Sequence, residues 1–370
     1  MSEQMDTEAG ADSEGARVAM VREVAAAIAA GERTRVLELV SDLNTPDLAD
    51  LIELLSADDR VSLIETLGPK FDFEVFSELD ETVRDQLSEA LPNALLAEAV
   101  KELDTDDAAY LLENLEEADK QEILAQLPTS ERAALERNLD YPEETAGRLM
   151  QADFVAVAPF WTVGQVIDYM RDTEDLPDTF SEIFVVDPSY RVLGAIELSR
   201  LLRTKREVRI DRIMNEDRHL VLATEDQEEV AHQFRRHDLM SAPVVDENQR
   251  LVGVVTVDDV VDVIQDEAEE DMKALAGVGD ETLGDTVYWT ARSRVPWLIV
   301  NLATAILAST VIQMFDATIE QMVSLAVLMP IVASMGGNAG TQTMTVTVRA
   351  LATNKLGPVN APRVIGREFL

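Results

Sequence analysis

The chain has 370 residues, enough for two or three domains that each bury a core. Its 71 acidic and 31 basic residues give a formal charge of -40, which argues against nucleic-acid binding through phosphates and against docking on anionic lipid, and leaves cations as the natural counterpart. With no Cys and three His, a thiolate zinc site, a disulfide framework and haem attachment are excluded, and any bound metal is a hard, oxygen-liganded one. Only six of the basic residues are Lys, which fits a generally acidic surface suited to a salty cytoplasm equally well, so the placement of the acids decides between adaptation and mechanism.

Residues 1–16, MSEQMDTEAGADSEGA, are polar and acidic without an apolar run, and read as a disordered tail and not as a signal peptide. From 43 to 139 a leucine falls at every twelfth position, from Leu43 and Leu55 through to Leu127 and Leu139. The residues after it, as in LSADD, LDTDD and LPTSE, are helix-start signals, and apolar residues then return at helical spacing. This register predicts short stacked helices of about eight or nine residues over 17–145, an all-α superhelical N domain whose acids mostly face solvent.

A second repeat follows. IFVVDPSYRVLGAIELSRLL from Ile183 aligns with APVVDENQRLVGVVTVDDVV from Ala242 at an offset of 59. Each copy has a β-branched run, a turn containing Asp, a second run through a Gly and a helix start, the grammar of an α+β unit. These residues resemble a CBS-domain pair, with the first copy over 146–208 and the second over 209–262. The resemblance implies a module that dimerises and binds adenosine nucleotides or ions. Its T-x-x-D ribose signature stands in the second copy as Thr256 to Asp259, which admits ATP there; the first copy has Glu197 to Arg200 instead.

DDVVDVIQDEAEEDMKAL, from Asp258, carries eight carboxylates in fourteen residues and opens a connecting helix and hinge over 263–290. On a helical wheel Asp259, Asp262, Asp266, Glu269 and Glu270 share one stripe. Val261, Ile264, Ala268, Met272 and Leu275 take the opposite side, which predicts that this side packs on protein. Two uncharged spans then follow, Val295 to Phe315 and Gln321 to Val348, each long enough to cross a bilayer, in a segment 291–370. Arg292 and Arg294 before the first, and Arg349, Lys355, Arg363 and Arg367 after the second, put the N-terminal 290 residues in the cytoplasm of a multi-pass protein of the cell (inner) membrane. Pro330 and Gly336–Gly337 predict a second span broken where it lines a water-filled pathway, or else close packing through small residues. Asn338, Gln342 and the threonines from Thr341 to Thr347 supply neutral oxygens, which suits a hydrated cation such as Mg²⁺.

Pro330, Gly336, Gly337, Asn338, Gly340, Gln342 and the Arg349–Leu351 triplet resemble the second membrane helix of the MgtE family of magnesium channels, and the order of segments resembles that family over nearly the whole chain. The resemblance implies a homodimer in the lipid bilayer whose cytoplasmic domains sense Mg²⁺ and whose "plug" helix gates a pore between subunits. It implies sensor positions at Asp259, Asp262, Glu267, Glu270 and Asp271 on that helix, Glu228, Asp238 and Gly147 in the CBS pair, and Glu74 and Asp106 in the helical array. Tyr110 stands where a further acid is expected. The family has five membrane helices and this sequence shows two, so a truncated sequence is expected. The function read here is a Mg²⁺ channel or transporter subunit with negative feedback; the alternative is a membrane-anchored adenine nucleotide sensor without transport. No nucleophile–base pair emerges, which argues against an enzyme.

Overall fold

The computed structural model describes residues 17–173, 176–177, 179–217, 219–276, 287–352, 361–362 and 366. The acidic tail over 1–16, the hinge over 277–286 and Lys355, Arg363 and Arg367 lie outside them. The chain divides into two compact units, Met1–Ile264 and Gln265–Leu370.

The first unit opens with helices α1 (17–29), α2 (Arg33–Val40), α3 (Thr45–Leu54), α4 (Ala57–Leu67), α5 (Val75–Glu78) and α6 (Glu81–Ala90). It continues with α7 (Asn93–Glu102), α8 (Thr105–Leu112), α9 (Glu117–Leu124) and α10 (Thr129–Leu139). The twelve-residue leucine is a junction residue: Leu55, Leu79, Leu91 and Leu103 are C-cap residues, and Leu55, Leu67, Leu79 and Leu91 are all at most 5% exposed. The next residue or the one after it caps the following helix. The Ser56 side chain accepts the Asp59 N–H and the Asp80 side chain accepts the Thr82 N–H, each satisfying a free donor of the first turn. One leucine therefore closes a helix and seals it to the shared core, and the polar residue behind it starts the next.

The rest of the unit is two copies of one small α+β motif. The first has β1 (Ala156–Val157), β2 (Glu182–Val186) and β3 (Val192–Glu197); the second has β4 (Val221–Leu222), β5 (Ser241–Val245) and β6 (Leu251–Thr256). In each sheet the short strand pairs in parallel and the hairpin antiparallel. The offset of 59 holds in detail: the hairpins carry a register shift at Val185/Val186 and at Val244/Val245, and Tyr190 and Gln249 both sit at positive φ in the turns. Helix α11 (Ala146–Leu149), which follows the array, packs into the core of the second copy with Val244 and Val255. The close approach needs Gly253, where an added Cβ would lie 2.8 Å from the Gln151 carbonyl oxygen.

Helices α12 (Val163–Asp172), α13 (Leu198–Leu202) and α14 (Gln227–His237) complete the copies, and α15 (Val257–Ala276) leaves the second one directly from β6. Here one expectation is corrected. The face of α15 that packs is Val260 and Val263, buried in the second copy's core, whereas Val261, Ile264 and Met272 are exposed. Because the helix starts at the strand end, the sheet selects whichever side points back at it, and that side is offset from the wheel's apolar maximum.

The second unit holds α16 (Val287–Met314), α17 (Asp316–Gln321) and α18 (Val323–Ala352). Among the described residues one helix is long and apolar enough to cross a membrane, over Ala291–Met314. The expected break at Pro330 and Gly336–Gly337 is not there: α18 is a continuous helix of 30 residues with Pro330 inside it. Proline at the eighth position removes one backbone donor, and the ladder continues on either side of it. The Thr341, Thr345 and Thr347 hydroxyls donate to the carbonyls of Gly337, Thr341 and Thr343 along the same helix.

Candidate functional site

The residues that the fold brings together lie where the helical array meets the second α+β copy. Asp104 caps α8 from the position after the leucine junction, and Asp106 and Asp107 fill its first turn, where the helix dipole favours acids. Thr105 accepts the Ala152 N–H at 3.4 Å, which sets this turn against the strand entering the pair. From the other side α15 presents Asp259. Thr256 donates its hydroxyl to Asp259 Oδ2, and the Gln151 side-chain amide donates to the same oxygen at 3.5 Å.

The junction is held by two further polar contacts. Asn138, buried at the end of α10, donates to the carbonyl oxygens of Gly147, Arg148 and Met150 at 3.1, 3.2 and 3.0 Å. Arg148, itself buried, forms an ion pair with Glu113 at 3.1 Å. Gly147 is required because an added Cβ would lie 2.4 Å from the Tyr141 ring.

Within this frame the carboxylates are electrostatically uncomfortable. Asp106 is 2% exposed, and its Oδ1 has no hydrogen-bond partner. Burial, then the charges of Asp259, Asp107 and Asp104, push its carboxyl well above the usual range. Burial also lifts Asp107 to about 7, with Asp259 and Asp104 adding to it and Arg84 opposing. Asp259 rises to about 7 as well, through burial first and against the Thr256 hydrogen bond, with Asp258 and Asp104 contributing. Asp262 adds to the field at Asp107. Like charges held together at partial burial want a cation, and an all-oxygen donor set without Cys or His fits a hard divalent one. Among the described residues no group of three or more acidic or His side chains has metal-ligand geometry, so the fit is to an ion that keeps its water shell and bridges through it.

Of the expected sensor residues, Asp106, Asp259 and Asp262 belong to this group. Glu74 caps α5 and is exposed; Glu228 is exposed in the first turn of α14. Asp238 ends α14 in the left-handed conformation and lines a separate cavity of about 370 Å³. Gly147 offers a carbonyl that already accepts from Asn138. In the second unit Glu267, Glu270 and Asp271 lie along α15, and Pro330, Gly336, Gly337, Asn338, Gly340 and Gln342 lie along α18. An added Cβ at Gly336, Gly337 or Gly340 would meet nothing within 4 Å. Asp104 and Asp107 were missed; LDTDD is a helix-start signal, and a local reading had already given those acids a role.

The Thr256–Asp259 pair does not line the cavity, which runs past the first copy's Glu197 and Ser199 and the rings of His219 and His237, 4.2 Å apart. Its described lining carries Glu182, Glu197, Asp217 and Asp238 and no Lys or Arg.

Family models match along the chain: the MgtE intracellular N domain over 21–144, the CBS domain over 146–207 and 210–266, and a divalent cation transporter model over 329–370. A magnesium transporter MgtE of Enterococcus faecalis is 38% identical over 336 residues, 90% of this chain and 74% of its own length. One of Bacillus subtilis is 34% identical over 232 residues, 62% of this chain; the match spans 51% of that relative, about half its length. Among solved structures, the cytosolic domain of the Mg²⁺ channel MgtE in complex with ATP is 32% identical with a TM-score of 0.60, covering 66% of this chain and 99% of that one.

Proposed function

We propose, since this chain belongs to the MgtE family of magnesium transporters, that it is a subunit of a Mg²⁺ transporter whose own acidic junction reports cytosolic Mg²⁺. The family is one of transporters and not of enzymes. The observation that carries the sensing role is the buried Asp106, whose Oδ1 has no hydrogen-bond partner, lying in the field of Asp259. Unit charges ~6 Å apart at an effective dielectric of ~20 repel by roughly 3 kcal/mol, as much as a conformational switch spans. Bridging Mg²⁺ offsets that repulsion and holds array and second copy together; at low Mg²⁺ they part, the acidic helix is released and the pore opens. Glu74, Glu228, Asp238 and Gly147 in the first unit, and Glu267, Glu270 and Asp271 on α15, are further candidate Mg²⁺ positions, and Asn338 with Gln342 and the neighbouring glycines are the candidate ion-path residues. The working unit is a homodimer in the cell (inner) membrane, multi-pass, with the N-terminal domains in the cytoplasm.

Limited proteolysis of the 370-residue chain in detergent tests the sensor. Millimolar Mg²⁺ should protect the segment around 140–152, and Asp106→Asn should be protected without Mg²⁺ and gain nothing from it. A wild-type digest indifferent to Mg²⁺ would sink the sensing role. Transport is tested by Mg²⁺ uptake in a transport-deficient cell, where Asn338→Ala should abolish rescue.

A second reading, adenine nucleotide binding, draws on the ATP complex of the related cytosolic domain. The ribose signature was expected at Thr256 and Asp259, but those side chains bond one another. A nucleotide in the cavity would meet four carboxylates, so ATP should bind there only with Mg²⁺. Calorimetry with and without Mg²⁺ checks this; a sensor without transport would bind ATP and show no Mg²⁺-dependent protection.

A further inference from the structure

Arg84, on α6, packs its guanidinium over the Tyr110 ring of α8, with Cζ 5.3 Å from the ring centre. Its Nε is buried without a hydrogen-bond partner, and it forms no ion pair among the described residues. A half-buried guanidinium in an acidic protein ordinarily seats itself on a carboxylate in bidentate geometry. Here the aromatic face takes that place, through the attraction of a cation to a ring quadrupole. The charge therefore stands beside the junction acids without ligating any of them, and its field reaches Asp107. Asp107 in turn faces Asp259 and Asp262 of α15.

We propose that Arg84 is a built-in counter-cation of the junction: held on Tyr110 and off every carboxylate, it offsets part of the repulsion between the α8 and α15 acids and sets how much divalent cation the junction needs. This rests on the reading of the junction as the ion-sensing surface. A guanidinium that bridged two acids would fix the junction shut. One that only leans on them leaves their oxygens available to an ion while preventing complete separation when the ion is scarce. Because Arg84 belongs to α6 of the array, the neutralising charge stays with the array when the two surfaces part.

The test is the junction's cleavage rate in the full chain in detergent, in EDTA and in millimolar MgCl₂, for Arg84→Gln, Arg84→Lys and the double variant Arg84→Gln/Asp107→Asn. In EDTA the Gln variant should be cut about tenfold faster than wild type, the order expected of one unit charge acting across a partly buried gap. The Lys variant, which keeps the charge, should stay within about threefold of wild type. Removing the Asp107 charge as well should restore the wild-type rate, since the two charges act on each other. In MgCl₂ all variants should converge. A Gln variant cut no faster than wild type in EDTA overturns the proposal, and so does a double variant as labile as the single one, because lost packing on Tyr110 would not be rescued at Asp107. If Mg²⁺ changes no variant while the EDTA pattern holds, the ion-sensing reading fails and the counter-cation role stands.

Discussion

The two α+β copies share a frame and differ in what leaves it. Both hairpins turn on an aspartate: Asp187 Oδ1 accepts the Ser189 and Arg191 N–H at 2.7 and 2.9 Å, and Asp246 Oδ1 accepts those of Asn248 and Arg250 at 2.8 and 2.9 Å. After the second hairpin strand the copies diverge. The first runs from Glu197 into the five residues of α13 and lines the cavity; the second runs from Thr256 into the twenty of α15 and meets the acids of α8. Duplication thus supplied a symmetric scaffold, and the asymmetric exit put a charge problem at one end only.

The largest expected break in that asymmetry comes from pH. Asp107 and Asp259 have carboxyls raised to about 7 from unfolded values near ~4, so the folded state holds their protons more tightly. Their contribution is fully present below about pH 4 and lost as pH rises through about 7. Three pH units correspond to roughly 4 kcal/mol per group; coupling between them and partial solvent screening reduce the usable sum to about that figure for the pair. Without divalent cation the junction should resist proteolysis at pH 5.5 and open by pH 8, where Mg²⁺ should matter most. Equal Mg²⁺ protection at both pH values would mean that these carboxylates are not what the ion neutralises.

A smaller effect separates the two exits directly. Asp259→Asn removes one charge from the group while keeping an acceptor for Thr256, and should tighten the metal-free junction by about 2 kcal/mol. Arg200→Asn changes the equivalent residue of the first copy, on α13, and should leave the Mg²⁺ response where it was. Urea titrations in EDTA and in Mg²⁺ compare them; an equal shift in both variants would place the response in the shared frame and not in the exit.

Much of this was legible in the sequence. The leucine register marked helix junctions because one residue must both end a helix and bury itself, which leaves a spacing that needs no tertiary knowledge. The offset of 59 carried the strands and the turns, and the register shift that both hairpins share came only with the structure. What was not legible depends on direction. Asp104, Asp106 and Asp107 read locally as an ordinary acidic first turn; the fold adds the burial of Asp106 and the nearby charge of Asp259. Val261 and Ile264 look like a packing face until the sheet dictates which side of α15 points inward. Pro330 and its glycines signal a break, whereas the helix runs on through them. Thr256 and Asp259 match a ribose signature, and in the structure the threonine hydroxyl donates to its own aspartate.

The smallest prediction tests the symmetric half of the comparison. Asp187→Ala and Asp246→Ala each delete a half-buried carboxylate that accepts two backbone N–H groups, and each should cost about 1 kcal/mol, equal within ~0.5, by thermal melts in Mg²⁺. The pH dependence of the second hairpin should also run opposite to that of the junction. Slight burial works the other way, but the backbone N–H groups of Arg250 and Asn248 hold the Asp246 carboxyl below its usual value. Its contribution is therefore present above about pH 4 and lost as pH falls through its lowered value. Hydrogen exchange at Asn248 and Arg250 should quicken relative to the global rate as acid is added, while the junction thirteen residues on from Asp246 grows more protected. Two aspartates on one short segment would then respond to protons with opposite signs, one because backbone donors surround it and the other because carboxylates do. If both ends loosened together in acid, the junction acids would be ordinary surface charges and the asymmetry between the copies would be one of length alone.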